Sequence, residues 1–485
     1  MKKTNGNSII NNIIHLFYST ALSSALNAAA LIILAYYLQS HNYGLFSVAL
    51  AISMIMGYFT DAGLSDIVLR EGSKKNVSTS ILMSSYIKMR FLLLIITFVF
   101  GFIYIEFVYV NNQELIQTAY LLIFPMVTGV ALQSIGTTYF QLIEKMEYFG
   151  YIRMVSALTL VTTISLGMLF SLHPYIISLL YGMSYMLAGI FGLVLVSKKI
   201  KIPLKSKFHK GILQNLGSFT IGGLLFVILP HLGPLVLERT ISLKDVGLFA
   251  IAYRIPQALQ QIPFVVAGAY YPVLFRYFNG GMPNEHLKLN ITQIKIMSLI
   301  GMGMTIPFFH LSEFVIQFLF GAEWTMAATP LKILSLLLTF QAINIALADG
   351  LTSRGMQTYR MVCQLIAVIS GVILYFVLSQ SYGVIGAAFA GIAIEGITLL
   401  GFLLCIPNRG VIAIKAIIPY LLFFAISLGV SEYFFREIPL LAMAINLIFL
   451  SMLLFIDSEL KEKIRRDVVK KIRFKRVKGK DTEGV

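Results

Sequence analysis

The decapeptide VGLFAIAYRI, residues 246–255, repeats an earlier one, YGLFSVALAI at residues 43–52. In each, a Gly-Leu-Phe step opens an apolar run, as at the start of a buried helix. Only the second copy sets an arginine, Arg254, where the first has Ala51. Three further matches occur in order. AGLSDIVLR (62–70) faces AGAYYPVLFR (267–276), YIKMRFLLLI (86–95) faces QIKIMSLIGM (293–302), and RMV at Arg153 faces RMV at Arg360. The spacing drifts only from 203 through 205 to 207 residues. Four matches in register indicate a duplicated unit.

Composition shows what kind of unit is duplicated. The chain has 485 residues, 58% of them hydrophobic and 12% charged. A soluble protein of this length cannot cover so much apolar surface with so few charges, and repeated apolar runs of eighteen or more residues mark membrane-spanning helices. The runs fall at 13–38, 44–69, 80–107, 115–141, 151–171, 175–197, 212–237, 246–274, 289–309, 326–350, 357–379, 383–406, 411–431 and 438–456. At about twenty residues per crossing this is an all-α integral membrane protein of about fourteen helices. The first run comes after a basic start but is too long for a signal peptide and lacks a small-residue cleavage pattern, so it reads as an uncleaved helix. The duplicated unit has six helices. Because six is even, both copies enter the membrane in the same sense, and substrate paths in such parallel repeats lie between the halves. The expected organisation is a first lobe at 1–197, a basic linker at 198–211, a second lobe at 212–406, an appended helix pair at 407–456 and a basic tail at 457–485.

The net charge of +16 is distributed by topology. Lys2 and Lys3 precede the first span, Arg70, Lys74 and Lys75 come after the second, and Lys88 and Arg90 enter the third. SKKIKIPLKSKFHKG (197–211) comes after the sixth, and the tail beyond Asp457 is denser still. The odd-numbered loops carry only Arg239, Lys244 and Arg436. Positive charge stays on the cytoplasmic side, so both termini are expected inside and no nucleic acid is implied. In the tail Leu460, Ile464, Val468 and Ile472 recur every fourth residue among charges, a pattern for a basic helix lying on membrane lipids or for a solvated tail.

No GxxxxGK[ST] phosphate loop, metal-ligand cluster or nucleophile motif occurs, and no outer loop is long enough to house an enzyme site. Cys363 and Cys405 show no metal or disulfide spacing. Binding and movement within the membrane remain. Ionisable groups at membrane depth are then informative, because a charge in hydrocarbon costs at least about 2.5–3.5 kcal/mol and faces a cavity or a partner. Arg254 lies about eight residues into the eighth span, with Gln257, Gln261 and Gly268 on the same helical face. Guanidinium beside amides suits an anionic, hydroxyl-rich ligand; the alternative is an arginine paired with a carboxylate. Asp61 and Asp66, with Arg70 and Glu71 below, fit a gate ion pair, a cation site or an interfacial charge network. Glu395, in AGIAIEGITLL near mid-membrane, fits a proton or cation coupling group or a neutral packing carboxyl. His231 sits between Pro230 and Pro234, where a kinked helix would leave the imidazole a free carbonyl. Lys332, near the outer end of the tenth span, fits a snorkelling lysine. Lys88, Lys295, Arg276 and Arg360 ring the cytoplasmic face, either as topogenic charges or as a collar collecting phosphates.

YYLQSHNYGLFSVALAI followed by DAGLSDIVLRE, VIQFLFGAEWTMAATPLKIL (315–334) and YGVIGAAFAGIAIEGITLL together resemble Wzx-type polysaccharide repeat-unit flippases of the multidrug/oligosaccharidyl-lipid/polysaccharide (MOP) superfamily. The resemblance covers residues 9–406. It implies two six-helix lobes in a V around a central cavity, with the first, second, seventh and eighth helices at a lateral gate. The implied activity is transfer of an undecaprenyl-diphosphate-linked oligosaccharide from the inner to the outer leaflet of the bacterial cytoplasmic membrane, by alternating access. That implies H+ or Na+ coupling, no cofactor, and a polysaccharide polymerase and chain-length regulator as partners. The chain departs from the pattern in the seventh span, where His231 and Glu238 stand in place of an aspartate. Related alternatives are a cation-coupled multidrug antiporter, usually of twelve spans with an acidic cavity, and a lipid II flippase, with a more cationic one. A polymerase or ligase would need a large outer loop.

Overall fold

The computed structural model describes residues 6–72, 77–203, 205–213, 216–457 and 461. The readings placed on Lys2, Lys3, Lys74, Lys75 and the amphipathic tail lie outside the described residues. Among those described, regular structure is helical throughout. The helix α1 (Gly6–Phe59) would run about 81 Å at 1.5 Å per residue, far beyond the roughly 30 Å of hydrocarbon. It breaks at Gln39, where φ is 58°. The later α14 (Gln357–Cys405) breaks in the same way at Gly383, where φ is 57°. Eleven helices among the described residues are long and apolar enough to cross a membrane, and the two carrying these breaks hold two crossings each. With α7 (Leu216–Leu237) added, all fourteen expected spans fall on helices.

Two spans are less regular than their hydropathy implies. The second stops at Phe59, turns through residues 60–63 with Ala62 and Gly63 at positive φ, and resumes as α2 (Leu64–Gly72). Asp61 sits in that interruption. The eighth is divided into α8 (Leu243–Leu259) and α9 (Gln261–Asn279). The seventh, expected to kink at its prolines, runs as one helix through Pro230 and Pro234.

Contacts group the chain into two compact units. The first comprises Met1–Ala258, Ile316–Pro330 and Gln364–Ile394. Within it α3 (Thr79–Val108), α4 (Gln113–Leu142), α5 (Met146–Leu169) and α6 (Pro174–Ser197) surround a core that includes Tyr86, Phe140, Ile152 and Val196. The start of α3 also holds the basic segment after α6. Ser80 donates to the Lys201 carbonyl (2.9 Å), Ser84 to that of Pro203 (2.8 Å) and Lys88 to that of Ser206 (2.7 Å), while the His209 amide donates to Ser85 (2.9 Å).

The two Gly-Leu-Phe copies meet in this unit. A Cβ on Gly44 would run into the carbonyl oxygen of Leu243, and one on Gly247 into that of Ser40. Ser40 and Leu243, like Gly44 and Gly247, are 203 residues apart, so the contact is reciprocal about the axis relating the repeats. Only hydrogen at these positions lets the two helix starts touch backbone to backbone. Valine at either glycine is expected to cost roughly 1–3 kcal/mol through overpacking, read as a lower Tm of the purified protein. Gly429→Val, where nothing lies within 4 Å, is the matched control. Equal Tm values for the three variants would contradict the crossing.

The second unit comprises Leu259–Val315, Leu331–Cys363 and Glu395–Val485. Its helices include α10 (Pro283–His310) and, after the short α11 (Ser312–Phe320) and α12 (Ala328–Leu334), α13 (Leu337–Ser353). The appended pair, α16 (Ile418–Phe435), which comes after the four-residue α15 (Arg409–Ile412), and α17 (Pro439–Ile456), packs on α10 through Met302, Ile306, Phe424 and Leu453. Lys332 belongs to this junction rather than snorkelling: its ammonium pairs with Glu432 at 2.5 Å and stands 4.8 Å from the Phe309 ring.

Candidate functional site

The backbone crossing at Gly44 and Gly247 fixes where the later turns of each helix lie. Two turns beyond Gly247, half-buried Arg254 donates through Nη1 to Oε1 of Gln257, one turn along α8, at 2.9 Å. The buried Tyr43 hydroxyl also hydrogen-bonds the guanidinium. Tyr181 and Tyr185 of α6 and His231 of α7 lie within reach of its charge. Tyr181 is wedged against Phe46 (4.9 Å between ring centroids), and Tyr43 against Trp324 (5.9 Å). Among the described residues none of these partners is a carboxylate. A guanidinium set beside phenols and an amide, with no carboxylate among its described partners, is a costly arrangement inside a membrane unless an anion arrives. Gln261, expected on the same face, begins α9 and is exposed in the second unit.

Asp61 is committed elsewhere. Its Oδ1 takes Nη1 of Arg90 at 2.6 Å, the Ser65 hydroxyl at 2.7 Å and the Tyr86 hydroxyl at 3.3 Å. The Arg90 side chain is 1% exposed and also donates to the carbonyls of Val130 and Ala131 (3.3 and 3.2 Å), so the cluster ties the interrupted second span to α3 and α4. Asp66 is exposed on the first turn of α2. Arg70 closes the same helix and pairs with buried Glu71 at 3.4 Å, which also faces His209 at 3.5 Å.

The collar expected of Lys88, Lys295, Arg276 and Arg360 does not stand as four free cations. Lys88 is spent on the Ser206 carbonyl. Lys295 is buried and pairs with Asp457 at 2.7 Å. Arg360 donates to Thr352 at 3.1 Å and stands in the field of Asp349 and Tyr271, while Asp349 accepts from Gln293 at 2.7 Å. Arg276 alone is exposed, on the last turn of α9. Sequence reading passed over Asp349, although a carboxylate within the apolar tenth span was there to be seen.

In the second unit Glu395 accepts from Nε2 of Gln341 (3.0 Å) and Nδ2 of Asn344 (2.7 Å), both on α13. Glu238, past the end of α7, pairs with Arg239 at 3.2 Å; burial pushes its carboxyl up and Arg239 draws it back down. The first unit also holds an apolar cavity of about 710 Å³ between α1, α3 and α7, lined by Ile52, Met56, Phe59, Phe100, Thr220 and Leu235.

Comparison with known proteins fits this picture. A family described as polysaccharide biosynthesis proteins matches residues 9–278. No curated protein matches the chain. Among solved structures, the lipid II flippase MurJ in an inward closed conformation aligns with a TM-score of 0.68 at 18% identity, over 91% of this chain and 99% of that one. An inward-facing multidrug resistance MATE transporter of the MOP superfamily aligns at 0.66 and 12% identity, over 84% and 99%. A MOP superfamily transporter from Pyrococcus furiosus aligns at 0.59 and 13%, over 86% and 95%. The fold is thus that of the MOP membrane transporters. The chain belongs to the polysaccharide biosynthesis protein family.

Proposed function

We propose that this protein flips a polyprenyl-diphosphate-linked oligosaccharide, of the undecaprenyl kind, from the inner to the outer leaflet of the bacterial cytoplasmic membrane for surface polysaccharide assembly. The observation that carries the reading is Arg254, a membrane-depth guanidinium whose described partners, Tyr43 and Gln257, leave its charge uncompensated. A diphosphate supplies that charge in the bidentate geometry guanidinium favours. The phenols and amide around it offer hydrogen bonds to sugar hydroxyls, and the apolar cavity between α1, α3 and α7 has room for part of a prenyl chain. Alternating access driven by H+ or Na+ completes the scheme, with both termini cytoplasmic and the flipped unit passed to a polymerase and its chain-length regulator.

The test is reconstitution into liposomes with a fluorescent polyprenyl-diphosphate disaccharide, scored by access of a membrane-impermeant quencher to the outer leaflet. Protein-dependent movement of this lipid, and none of its lipid-monophosphate analogue, is expected. Equal movement of both lipids, or transport of cationic drugs instead, would overturn the reading.

A further inference from the structure

We infer that Cys363 and Cys405 are an oxidative modification site, which a peroxide closes into a reversible disulfide that staples the two spans of α14 together at one end. The chain has two cysteines, 42 residues apart, and their spacing in sequence suggests no pairing. Folding brings them together. Both are free thiols of the second unit, and their Sγ atoms stand in contact at 3.6 Å. Gly401, one turn before Cys405, leaves a notch that the Cys363 side chain fills, since a Cβ there would stand 3.1 Å from its Sγ. A disulfide needs close backbones, with Cα atoms about 4.4–6.8 Å apart, and glycine at a helix crossing permits that approach. Access to the two thiols differs. Cys363 is 6% exposed and lies in a core with Leu347, Phe402 and Ile406. Half-buried Cys405 ends α14; Pro407, Asn408 and Arg409 beyond it are exposed, and Arg409 turns back to donate to the Leu404 carbonyl at 3.4 Å. Cys405 thus sits at the polar boundary, where a small neutral oxidant arrives from water, with Cys363 one layer deeper.

The chemistry follows from that order of access. The Cys405 thiol loses its proton and its sulfur attacks one oxygen of hydrogen peroxide. The O–O bond breaks, a sulfenic acid forms on Cys405, and the other oxygen leaves with the released proton as water. The Cys363 sulfur then attacks the Cys405 sulfur. An S–S bond forms as the S–O bond breaks, and the departing hydroxide takes the Cys363 proton to give a second water. Each sulfur gives up one electron and the peroxide takes both. No cluster of three or more His, Cys, Asp or Glu is found among the described residues, so the pair falls short of the four ligands of a structural zinc site. By the distribution of charge, this end of the spans is expected to face the cytoplasm, where thiols are kept reduced and a disulfide reports oxidation. A covalent tie at the base of the hairpin opposes any sliding or twisting of its two helices past each other, so oxidation slows transport. That last step rests on the proposed translocation, whereas disulfide formation itself does not.

The site is tested on the full-length purified protein in detergent, without lipid substrate, so that its failure and the failure of the flippase reading are separate results. The protein is treated with hydrogen peroxide, freed of it with catalase, and unfolded in SDS with a polyethylene glycol maleimide that adds one gel step per free thiol. Untreated wild type is expected to take both labels and oxidised wild type neither, with both regained after dithiothreitol. A non-reducing digest should then hold one peptide pair joined through Cys363 and Cys405. Cys405→Ala is expected to keep its remaining label through the treatment, because buried Cys363 has lost the partner that meets the oxidant. Labels retained by oxidised wild type, a loss that dithiothreitol does not reverse, or a disulfide-linked dimer in place of the internal bridge overturns the site. In liposomes, oxidised wild type is expected to flip lipid about tenfold or more slowly than reduced protein, with Cys405→Ala indifferent to peroxide. Bridged protein that flips at the reduced rate overturns the clamp.

Discussion

Arg254→Ala is expected to reduce flipping on the order of 30-fold or more while leaving the protein folded and inserted. Removing one partner from a desolvated charge interaction costs about 2–5 kcal/mol, and each 1.4 kcal/mol is a factor of ten. Folding should not suffer in the same measure. Arg254 satisfies no described carboxylate, and its loss leaves behind a phenol and an amide, not a stranded charge. Arg254→Lys separates charge from geometry. A lysine holds the positive charge but not the planar fork, so it should recover part of the activity and fall short of wild type by about tenfold. The measurement is the initial rate of lipid movement in liposomes, normalised to inserted protein. Wild-type rates in Arg254→Ala would remove this residue from the substrate path.

How much of the molecule could be read from residues alone depended on how local the signal was. The spans were legible because bilayer thickness sets a length that apolar runs must meet, and helices stand on all fourteen. The repeat was legible because Gly44 and Gly247 each open an apolar run. That the two glycines touch was not, since contact depends on the crossing of helices 203 residues apart. The backbone breaks at Gln39 and Ala62 were hidden because neither residue advertises positive φ. Glu395 stood out as a carboxylate in an apolar run. Its amides lie 51 and 54 residues away on another helix and read as ordinary polar residues of a span. Lys295 failed as a collar residue for the same reason: its charge is visible in sequence, but the Asp457 that neutralises it arrives from the far end of the chain.

Arg90 is the extreme case. By position it is one more topogenic cation at the mouth of the third span, yet it is a fully buried partner of Asp61, 29 residues earlier. Removing one side of a buried pair strands the other and costs about 3–5 kcal/mol, whereas replacing both sides together is often close to neutral. Arg90→Met and Asp61→Asn are therefore each expected to lower Tm sharply, with Arg90→Met leaving a carboxylate within the membrane domain and Asp61→Asn leaving the almost wholly enclosed guanidinium. The double variant should regain half or more of the loss. The cycle also decides what Asp61 does. If the pair only fastens the interrupted second span to α3 and α4, the stable double variant flips lipid at near wild-type rates, which is the expected result. A double variant that folds but does not flip would instead return Asp61 to the role of a gate, opened by breaking its bond to Arg90 in each cycle.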